Sequence, residues 1–332
     1  MIAKRIKELI KSVGTGPKGS KGLSRSEAFE ACQLILSGEA TPAQTGGLLL
    51  ALRTKGETAP EMEGFLLSLK SFLKVPSTST TIDGLDLGCP YDGHARAPGL
   101  WIPAAVLAAK AGLPIVLHGY QDLPAKFGVG LVPLWKKLGL PISRPETALT
   151  DLNRNKIICL SQEDITPELA KLAPIRRELG LRSIFNTVEK ALNPMNLSHM
   201  AVGYFHETIL APMESMVTAA HPNASITFVG GQEGSVGLFT HRPTKIYRVN
   251  TDPDHQLDTL PPVKEGLEPV AVPPTEEAYS NYCRELIENP RHPHRKALIW
   301  QAATFLLLGG ITSVMQEALN RIGDRIHKLD LT

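Results

Sequence analysis

From residue 84 to residue 231, short apolar runs alternate with segments of helical periodicity. The apolar runs are GLDLG, LPIVLHG, KIICL, HMAVGYF and ASITFVGG, and the helical segments include LWIPAAVLAAKAG, GLVPLWKKLG and ETILAPMESMVTAA. This alternation predicts a mostly parallel sheet that is covered by helices on both faces. Ligands bind such sheets at the carboxyl ends of the strands. We therefore expect the loops after LDLG, IVLHG and TFVGG to line one cleft.

A small helical unit precedes the predicted sheet. Capping boxes, in which Ser or Thr is followed three residues later by Glu or Gln, mark helix starts at Ser24, Thr41 and Thr58. Apolar residues three and four positions apart follow each start, so each helix has one face to bury. The segment PSTSTT after Val75 has the composition of a linker. The fold class is therefore α/β, with a small helical domain at residues 1–75 and an α/β domain at residues 76–332.

The composition is that of a globular chain. Hydrophobic residues make up 42% and charged residues 20% of the 332 residues, and no apolar run is long enough to span a bilayer. Four scattered cysteines without a C-x-x-C pair favour a reducing cytoplasm and no structural zinc. Residues 250–275, rich in Pro and Asp, predict an irregular excursion, and helices at about 294–308 and 312–328 close the chain.

Basic residues are concentrated at the amino-terminal end. The net charge is only +2, but residues 1–25 contain a single acidic residue, Glu8. A basic segment on a mildly acidic body suits a polyanion such as nucleic acid, although a solvated helix face is the alternative. The candidate nucleic-acid contacts are Lys4, Arg5, Lys7, Lys11, Lys18, Lys21 and Arg25.

The chain resembles anthranilate phosphoribosyltransferase and its relatives, which include the pyrimidine nucleoside phosphorylases. The resemblance covers nearly the whole length and rests on LILSGEATPAQTGGLLLALRTKGETAPEMEGF, on the pair His118-Gly119, on APIRRELGLRSIFNTVEKALNP and on VGYF. It implies a helical domain that is completed by helices near 175–195, a homodimer formed through that domain, and transfer of a phosphoribosyl group with magnesium.

The first loop of the cleft departs from the family pattern. The family carries Gly-Thr-Gly-Gly-Asp-Gly, whose backbone amides hold a diphosphate, and the matching residues here run from Gly88 to Gly93. Gly88, Asp92 and Gly93 match, but Pro90 removes a backbone donor and Tyr91 introduces a ring. Losing a charge-assisted hydrogen bond costs about 1–3 kcal/mol, so we expect diphosphate binding to be much weaker.

The second and third loops also depart from the family. In LHGYQDLPAKFGVG, His118, Gly119 and Lys126 match the family, but its Asn, its Arg and its serines are replaced. The family's magnesium-binding Asp-Glu pair falls at Val236 and Gly237, which have no side-chain oxygen. The sequence therefore predicts no metal site and no cofactor, with magnesium only if the chain is a transferase.

Several matching residues have both a functional and a structural interpretation. Arg176 lies where the family binds the anthranilate carboxylate, and Asn186 lies in the matching hinge segment, but both also suit a helix-to-helix connection. His118 is either a ligand contact or a hydrogen-bonded hinge group. Arg96 and Lys126 are either anion contacts or surface charges. Cys89, with no legible base beside it, is expected to be an inert thiol.

The chain also resembles bacterial paralogues of this family that lost the catalytic loops and are described as nucleic-acid-binding dimers. The segments YDGHAR, ALRTKGE, GGQEGSV and GTGPKGSKGLSR carry this resemblance. It implies a non-catalytic dimer that binds a polyanion such as single-stranded nucleic acid. The alternative is a transferase for anthranilate or an altered substrate that uses Asp92, His118, Lys126 and Arg176, and a scaffolding role is the third possibility.

Overall fold

A computed structural model describes residues 2–16, 18–76, 78, 80–88, 93–96, 99–121, 123, 128–249, 257–262 and 272–326. The residues from Cys89 to Asp92 in the first loop and Lys126 in the second loop lie outside this set. The proposed effects of Pro90 and Tyr91 therefore stay predictions, as do the roles of Cys89, Asp92 and Lys126.

Four helices form the amino-terminal unit. They are α1 to α4, at Ile2–Gly14, Arg25–Leu36, Pro42–Lys55 and Ala59–Ser71. The predicted starts at Ser24 and Thr41 are confirmed as capping boxes, and Glu61 accepts a 2.8 Å hydrogen bond from the Thr58 amide. Gly64 lets α2 and α4 pack closely, because a Cβ atom there would lie 2.4 Å from the Arg25 carbonyl oxygen.

The strands form one sheet, as the alternation predicts. They are β1 to β8, at Ile82–Gly88, Ile115–Gly119, Ile142–Ser143, Ile157–Ser161, Leu197–Gly203, Ser225–Val229, Thr244–Arg248 and Leu257–Leu260. The sheet has the order β3-β4-β2-β1-β5-β6-β7-β8. The pairs from β3 to β6 are parallel, whereas β7 and β8 pair antiparallel at one edge. The predicted irregular excursion at residues 250–275 is thus wrong at 257–260, where pairing with β7 overrides the local composition.

Helices cover both faces of the sheet. The helices after β1 are α5 to α15, at Trp101–Lys110, Leu131–Lys137, Ala148–Asn155, Gln162–Ile165, Pro167–Ala170, Ala173–Leu179, Ile184–Val188, Leu210–Ala220, Glu276–Glu288, Arg295–Leu308 and Met315–Ile326. One large hydrophobic core packs the carboxyl-terminal helices and α5 against the sheet. A second core joins the amino-terminal helices to α11, α12 and the opposite face. The α/β fold class with a helical amino-terminal unit is confirmed, and the boundary at residue 75 stays a prediction.

Within the described ranges, no helix combines the length and the apolar character that crossing a bilayer requires. Three cysteines, Cys32, Cys159 and Cys283, are buried free thiols. Burial raises the pKa of Cys32 and of Cys283 to about 12, so these thiols stay protonated and unreactive. The cytoplasmic location stays a prediction.

Candidate functional site

Three loops meet at the carboxyl ends of the parallel strands, as expected. We call them the first loop (residues 93–96), the second loop (residues 128–130) and the third loop (residues 230–237). A β-bridge between His94 and Val129 ties the first loop to the second. Gly93 has a φ of +74°, and a Cβ atom there would lie 2.5 Å from the Val129 carbonyl oxygen. Only glycine fits both the backbone conformation and the close approach.

Glu233 of the third loop reaches across to the first loop. Its carboxylate accepts hydrogen bonds from the Ala95 amide at 3.0 Å and from the Arg96 amide at 2.9 Å. Its Oε2 also lies 3.3 Å from Nδ1 of His94. Consecutive amides that point at one anion form the arrangement that binds phosphate in other proteins. In this chain those amides hold a carboxylate of the protein itself.

Trp101 fixes the tautomer of His94. The indole Nε1 donates to Nε2 of His94 at 2.9 Å, and an indole nitrogen can only donate. Nε2 of His94 must therefore be the acceptor, which places the proton of the neutral ring on Nδ1, facing Glu233. Trp101 at the start of α5 thus orients a donor toward the carboxylate of the third loop.

The electrostatics keep Glu233 ionised. Partial burial by itself would raise its pKa, but the hydrogen bond and charge of His94 and the amides of Ala95 and Arg96 outweigh it, so the pKa lies below its ordinary value. The side chain is 17% exposed, so this contact is only partly shielded from solvent. Arg96 contributes its amide to this contact while its side chain is exposed.

The third loop does not fit the magnesium ion that the transferase resemblance implies. Val236 is fully buried, and a Cβ atom on Gly237 would lie 3.1 Å from Ser235 Oγ and from the Trp101 ring. The nearby carboxylate, Glu233, accepts hydrogen bonds from the Ala95 and Arg96 amides. The positive ends of these N–H groups point at the carboxylate and would repel a cation bound there. Across the described residues, no three His, Cys, Asp or Glu side chains group closely enough to share a metal.

A second carboxylate lies beside Arg176. Nη2 of Arg176 is 2.7 Å from Oε1 of Glu189, and the two side chains are 4% and 0% exposed. Nη1 of Arg176 donates to the Tyr120 hydroxyl at 3.2 Å. Burial and the charge of Glu189 hold the pKa of Tyr120 well above its ordinary value. The charge that the resemblance assigns to a substrate carboxylate is therefore balanced inside the protein.

The other matching residues of the second strand and the hinge have structural contacts. Nε2 of His118 lies 3.4 Å from Oδ1 of Asp86, with both side chains fully buried in the sheet. A Cβ atom on Gly119 would meet Leu131 at 3.2 Å, and one on Gly88 would meet the Lys190 carbonyl oxygen at 2.6 Å. These glycines therefore allow close packing.

Asn186 caps helix α11, since its Oδ1 accepts from the Ser183 amide at 2.9 Å. The structural interpretation that the sequence left open for Asn186 thus has a contact to support it. Sequence reasoning missed Trp101, His94 and Glu189 altogether. The sequence shows which residue types they are, but their partners lie in distant segments of the chain. No local sequence pattern therefore identifies them as site residues.

The amino-terminal basic residues differ in whether their side chains form ion pairs within the protein. Arg5 is paired, with its guanidinium 2.8 Å from Glu30 and 3.5 Å from Glu8. Arg25 lies 3.9 Å from Glu63. The remaining five side chains are exposed: Lys4, Lys7, Lys11, Lys18 and Lys21. The exposed lysines are available to a polyanion, whereas Arg5 already balances acidic side chains of its own domain.

Two family models match the chain. The helical bundle domain of a glycosyl transferase family matches residues 7–72, and the a/b domain of a glycosyl transferase family matches residues 102–328. These two matches fall on the helical unit and on the sheet with its loops.

Known proteins are similar over most of the chain. A protein of Aquifex aeolicus described only as uncharacterized is 32% identical over 74% of this chain and 73% of its own length. The anthranilate phosphoribosyltransferase of Methylobacterium nodulans is 27% identical over 96% of this chain and 94% of its own. The crystal structure of anthranilate phosphoribosyltransferase from Thermus thermophilus superposes with a TM-score of 0.79 at 22% identity, covering 97% of this chain and 94% of that one.

Proposed function

The chain belongs to the glycosyl transferase family that combines a helical bundle domain with an a/b domain, and from this premise we propose that it is a diverged, polyanion-binding member. In this proposal it does not make phosphoribosyl-anthranilate. It binds a polyanion such as single-stranded nucleic acid, as a homodimer formed through the helical domain.

The observation that carries the proposal is the occupation of two anion positions by the protein's own carboxylates. Glu233 takes the amides of the first loop at 2.9–3.3 Å, and Glu189 takes Arg176 at 2.7 Å. A phosphate that used the amides of Ala95 and Arg96 would have to displace the first carboxylate, and a substrate carboxylate that paired with Arg176 would have to displace the second. Displacing Glu189 from Arg176 leaves a buried carboxylate uncompensated, which costs several kcal/mol, whereas the partly exposed Glu233 is displaced at a lower cost.

Polyanion binding is assigned to the exposed lysines of the amino-terminal segment. Lys7 and Lys11 are exposed on α1, and Lys18 and Lys21 are exposed in the loop that follows it. Lysines that neutralise phosphates release counterions, so affinity falls steeply with salt. A dimer would double the number of these contacts.

The test is retention on single-stranded DNA at increasing salt concentration. We expect binding at low salt that weakens as salt rises. The slope of the logarithm of affinity against the logarithm of salt concentration should become shallower by about 0.7 for each phosphate that is no longer neutralised. Replacing Lys18 and Lys21 by Gln should make this slope shallower. The same replacements at the exposed Lys171 and Lys296 remove equal charge elsewhere and should leave the slope unchanged. Absence of salt-dependent binding would refute the proposal.

A second candidate function is glycosyl or phosphoribosyl transfer to anthranilate or to an altered substrate, as in tryptophan biosynthesis. It is favoured by the similarity to the Methylobacterium nodulans enzyme over 96% of this chain. Isothermal titration with phosphoribosyl pyrophosphate and magnesium distinguishes the two functions. Binding at millimolar concentration or tighter, or turnover of anthranilate at an ordinary enzymatic rate, would favour the transferase.

A further inference from the structure

The backbone of the third loop is strained at Glu233. Its φ of 53° and ψ of 23° lie in the left-handed region, which residues with a side chain rarely adopt. Its carboxylate accepts hydrogen bonds from the Ala95 amide at 3.0 Å and from the Arg96 amide at 2.9 Å. Strained residues persist where surrounding contacts hold them, and they cluster at ligand-binding and switch regions. The position of Glu233 therefore depends on a contact that another anion can replace.

The residues on both sides of Glu233 allow its backbone to turn. Four glycines lie within four positions of it: Gly230, Gly231, Gly234 and Gly237. The next residue, Gly234, has a φ of 77°. Glycine adopts left-handed and right-handed conformations about equally well, so these positions can absorb a change in backbone direction. The third loop therefore has hinge positions next to its strained residue.

A cavity of about 210 Å³ adjoins Glu233, which lines it together with Gly234 and with residues of α3, of α11 and of the segment after β5. Its lysine, arginine and glutamate lining residues are Arg53, Arg182, Lys190, Glu57 and Glu233. Ala95 and Arg96 do not line it, so the Glu233 carboxylate is bonded to groups outside the cavity. While this contact lasts, three basic residues and the single carboxylate of Glu57 remain in the lining.

Hydrogen bonds to carbonyl oxygens hold two of the basic side chains at the cavity. Nη1 of Arg53 donates to the Arg182 carbonyl oxygen at 2.6 Å, and Nζ of Lys190 donates to the Gly203 carbonyl oxygen at 2.6 Å. A carbonyl oxygen accepts a hydrogen bond but carries no net charge, so these cations still attract a carboxylate. A Glu233 carboxylate that left the first loop would therefore have cationic neighbours in the cavity.

We infer that Glu233 is a switch with two positions. In the closed position its carboxylate accepts from the first-loop amides. In the open position an anion of the phosphate class takes those amides, and the carboxylate turns toward the basic residues of the cavity. Because Glu233 lines the cavity, anion binding at the first loop changes the cavity wall, and the two sites are coupled. The switch goes beyond polyanion binding by the amino-terminal lysines and does not depend on it.

Isothermal titration with inorganic pyrophosphate tests the switch by a double-mutant cycle. Arg53→Gln removes a cation that stabilises the open position, and we expect pyrophosphate to bind about three-fold more weakly. In the Glu233→Ala background no carboxylate has to move, so the same replacement should leave the affinity unchanged. Arg291→Gln, at another exposed arginine, removes equal charge and should have no effect in either background.

Hydrogen exchange followed by mass spectrometry locates the movement. With pyrophosphate, the amides of residues 93–96 should stay protected, because the anion accepts their hydrogen bonds, whereas residues 230–237 should exchange faster. Glu233→Ala without pyrophosphate should exchange faster in both loops. Pyrophosphate that is held only by the amino-terminal lysines would change neither loop, and that result would refute the switch.

The remaining outcomes are equally decisive. If Arg53→Gln weakens binding equally with and without Glu233, the arginine acts on the anion directly and the open position is wrong. If Glu233→Ala binds pyrophosphate at millimolar concentration and the wild type does not, the contact is a permanent block. If neither binds it, the first-loop amides are not an anion site. Failure of salt-dependent binding to single-stranded DNA would refute the proposed function and leave the switch intact.

Discussion

The junction between the helical unit and the sheet differs from the loop cleft in how its charges are shielded. At the junction, Arg176 and Glu189 are 4% and 0% exposed and pair at 2.7 Å, and His221 is 6% exposed. In the cleft, Glu233 is 17% exposed and pairs with two amides and with His94. Both regions pair a carboxylate of the protein with N–H donors, but only the carboxylate of the cleft belongs to a partly exposed side chain.

This difference separates a structural ion pair from an exchangeable contact. A fully buried pair cannot give up one partner without leaving an uncompensated charge. A partly exposed carboxylate can be rehydrated when an incoming anion replaces it. We therefore expect changes at the junction to affect mainly stability, and changes in the cleft to affect mainly anion binding.

The largest effect is expected from Glu189→Gln. It leaves the Arg176 guanidinium buried without its counter-charge, and the free energy of unfolding should fall by about 3–5 kcal/mol. Urea denaturation measures the loss. The double variant Arg176→Met with Glu189→Leu removes both charges and should recover most of it. A loss below about 1 kcal/mol in Glu189→Gln would mean that the junction is as open as the cleft.

The next effect is acid sensitivity at His221. Burial and the nearby charge of Lys70 lower its pKa to about 3, against a hydrogen bond to the Ala191 carbonyl oxygen that raises it. Between about pH 6.5 and pH 3, His221 is therefore protonated in the unfolded chain but not in the folded chain. Stability should fall by up to about 1.4 kcal/mol per pH unit as the pH drops from about 6.5 toward 3.

His221→Gln should flatten this dependence in denaturation curves measured between pH 7 and pH 4. The exposed His206 provides the matched control, since His206→Gln should retain the slope of the wild type. Equal slopes in the wild type and His221→Gln would show that His221 is not kept neutral at the junction.

A smaller effect on stability is expected from Glu233→Ala. The variant loses the hydrogen bonds to the Ala95 and Arg96 amides, which should cost about 1–2 kcal/mol at neutral pH. Because the folded pKa of Glu233 is lowered, this contribution is present above its unfolded pKa of about 4.3. It is lost as the pH falls through the folded value.

Thermal denaturation at several pH values should therefore show the wild type and Glu233→Ala converging in acid. Glu288→Ala, at an exposed position, is the control and should be close to neutral throughout. A pH-independent difference would contradict the ionised contact between Glu233 and the loop.

The smallest effect concerns anion binding in the cleft. Glu233→Ala frees the amides of Ala95 and Arg96, and we expect it to bind inorganic pyrophosphate about ten-fold more tightly than the wild type, which is about 1.4 kcal/mol. Isothermal titration compares the two. Equal affinities would show that the carboxylate does not block the first loop.

Much of the fold was predictable because its causes are local. The capping boxes at Ser24 and Thr41 act within one helical turn, and the alternation of strands and helices predicted the parallel part of the sheet. Strand β8 was not predicted, since Leu257–Leu260 lies in a stretch rich in Pro and Asp and becomes a strand only by pairing with β7.

The sequence by itself determined the family, the helical starts and the positions of the three loops. Only the tertiary structure decided that Glu233 closes the amides of the first loop and that Glu189 balances Arg176. The Arg96 amide and Glu233 are 137 positions apart, so their contact exists only once β1 and β6 lie in one sheet. Local patterns determine helices and strands through neighbouring residues, whereas the partner of a charge in a cleft depends on how distant segments pack.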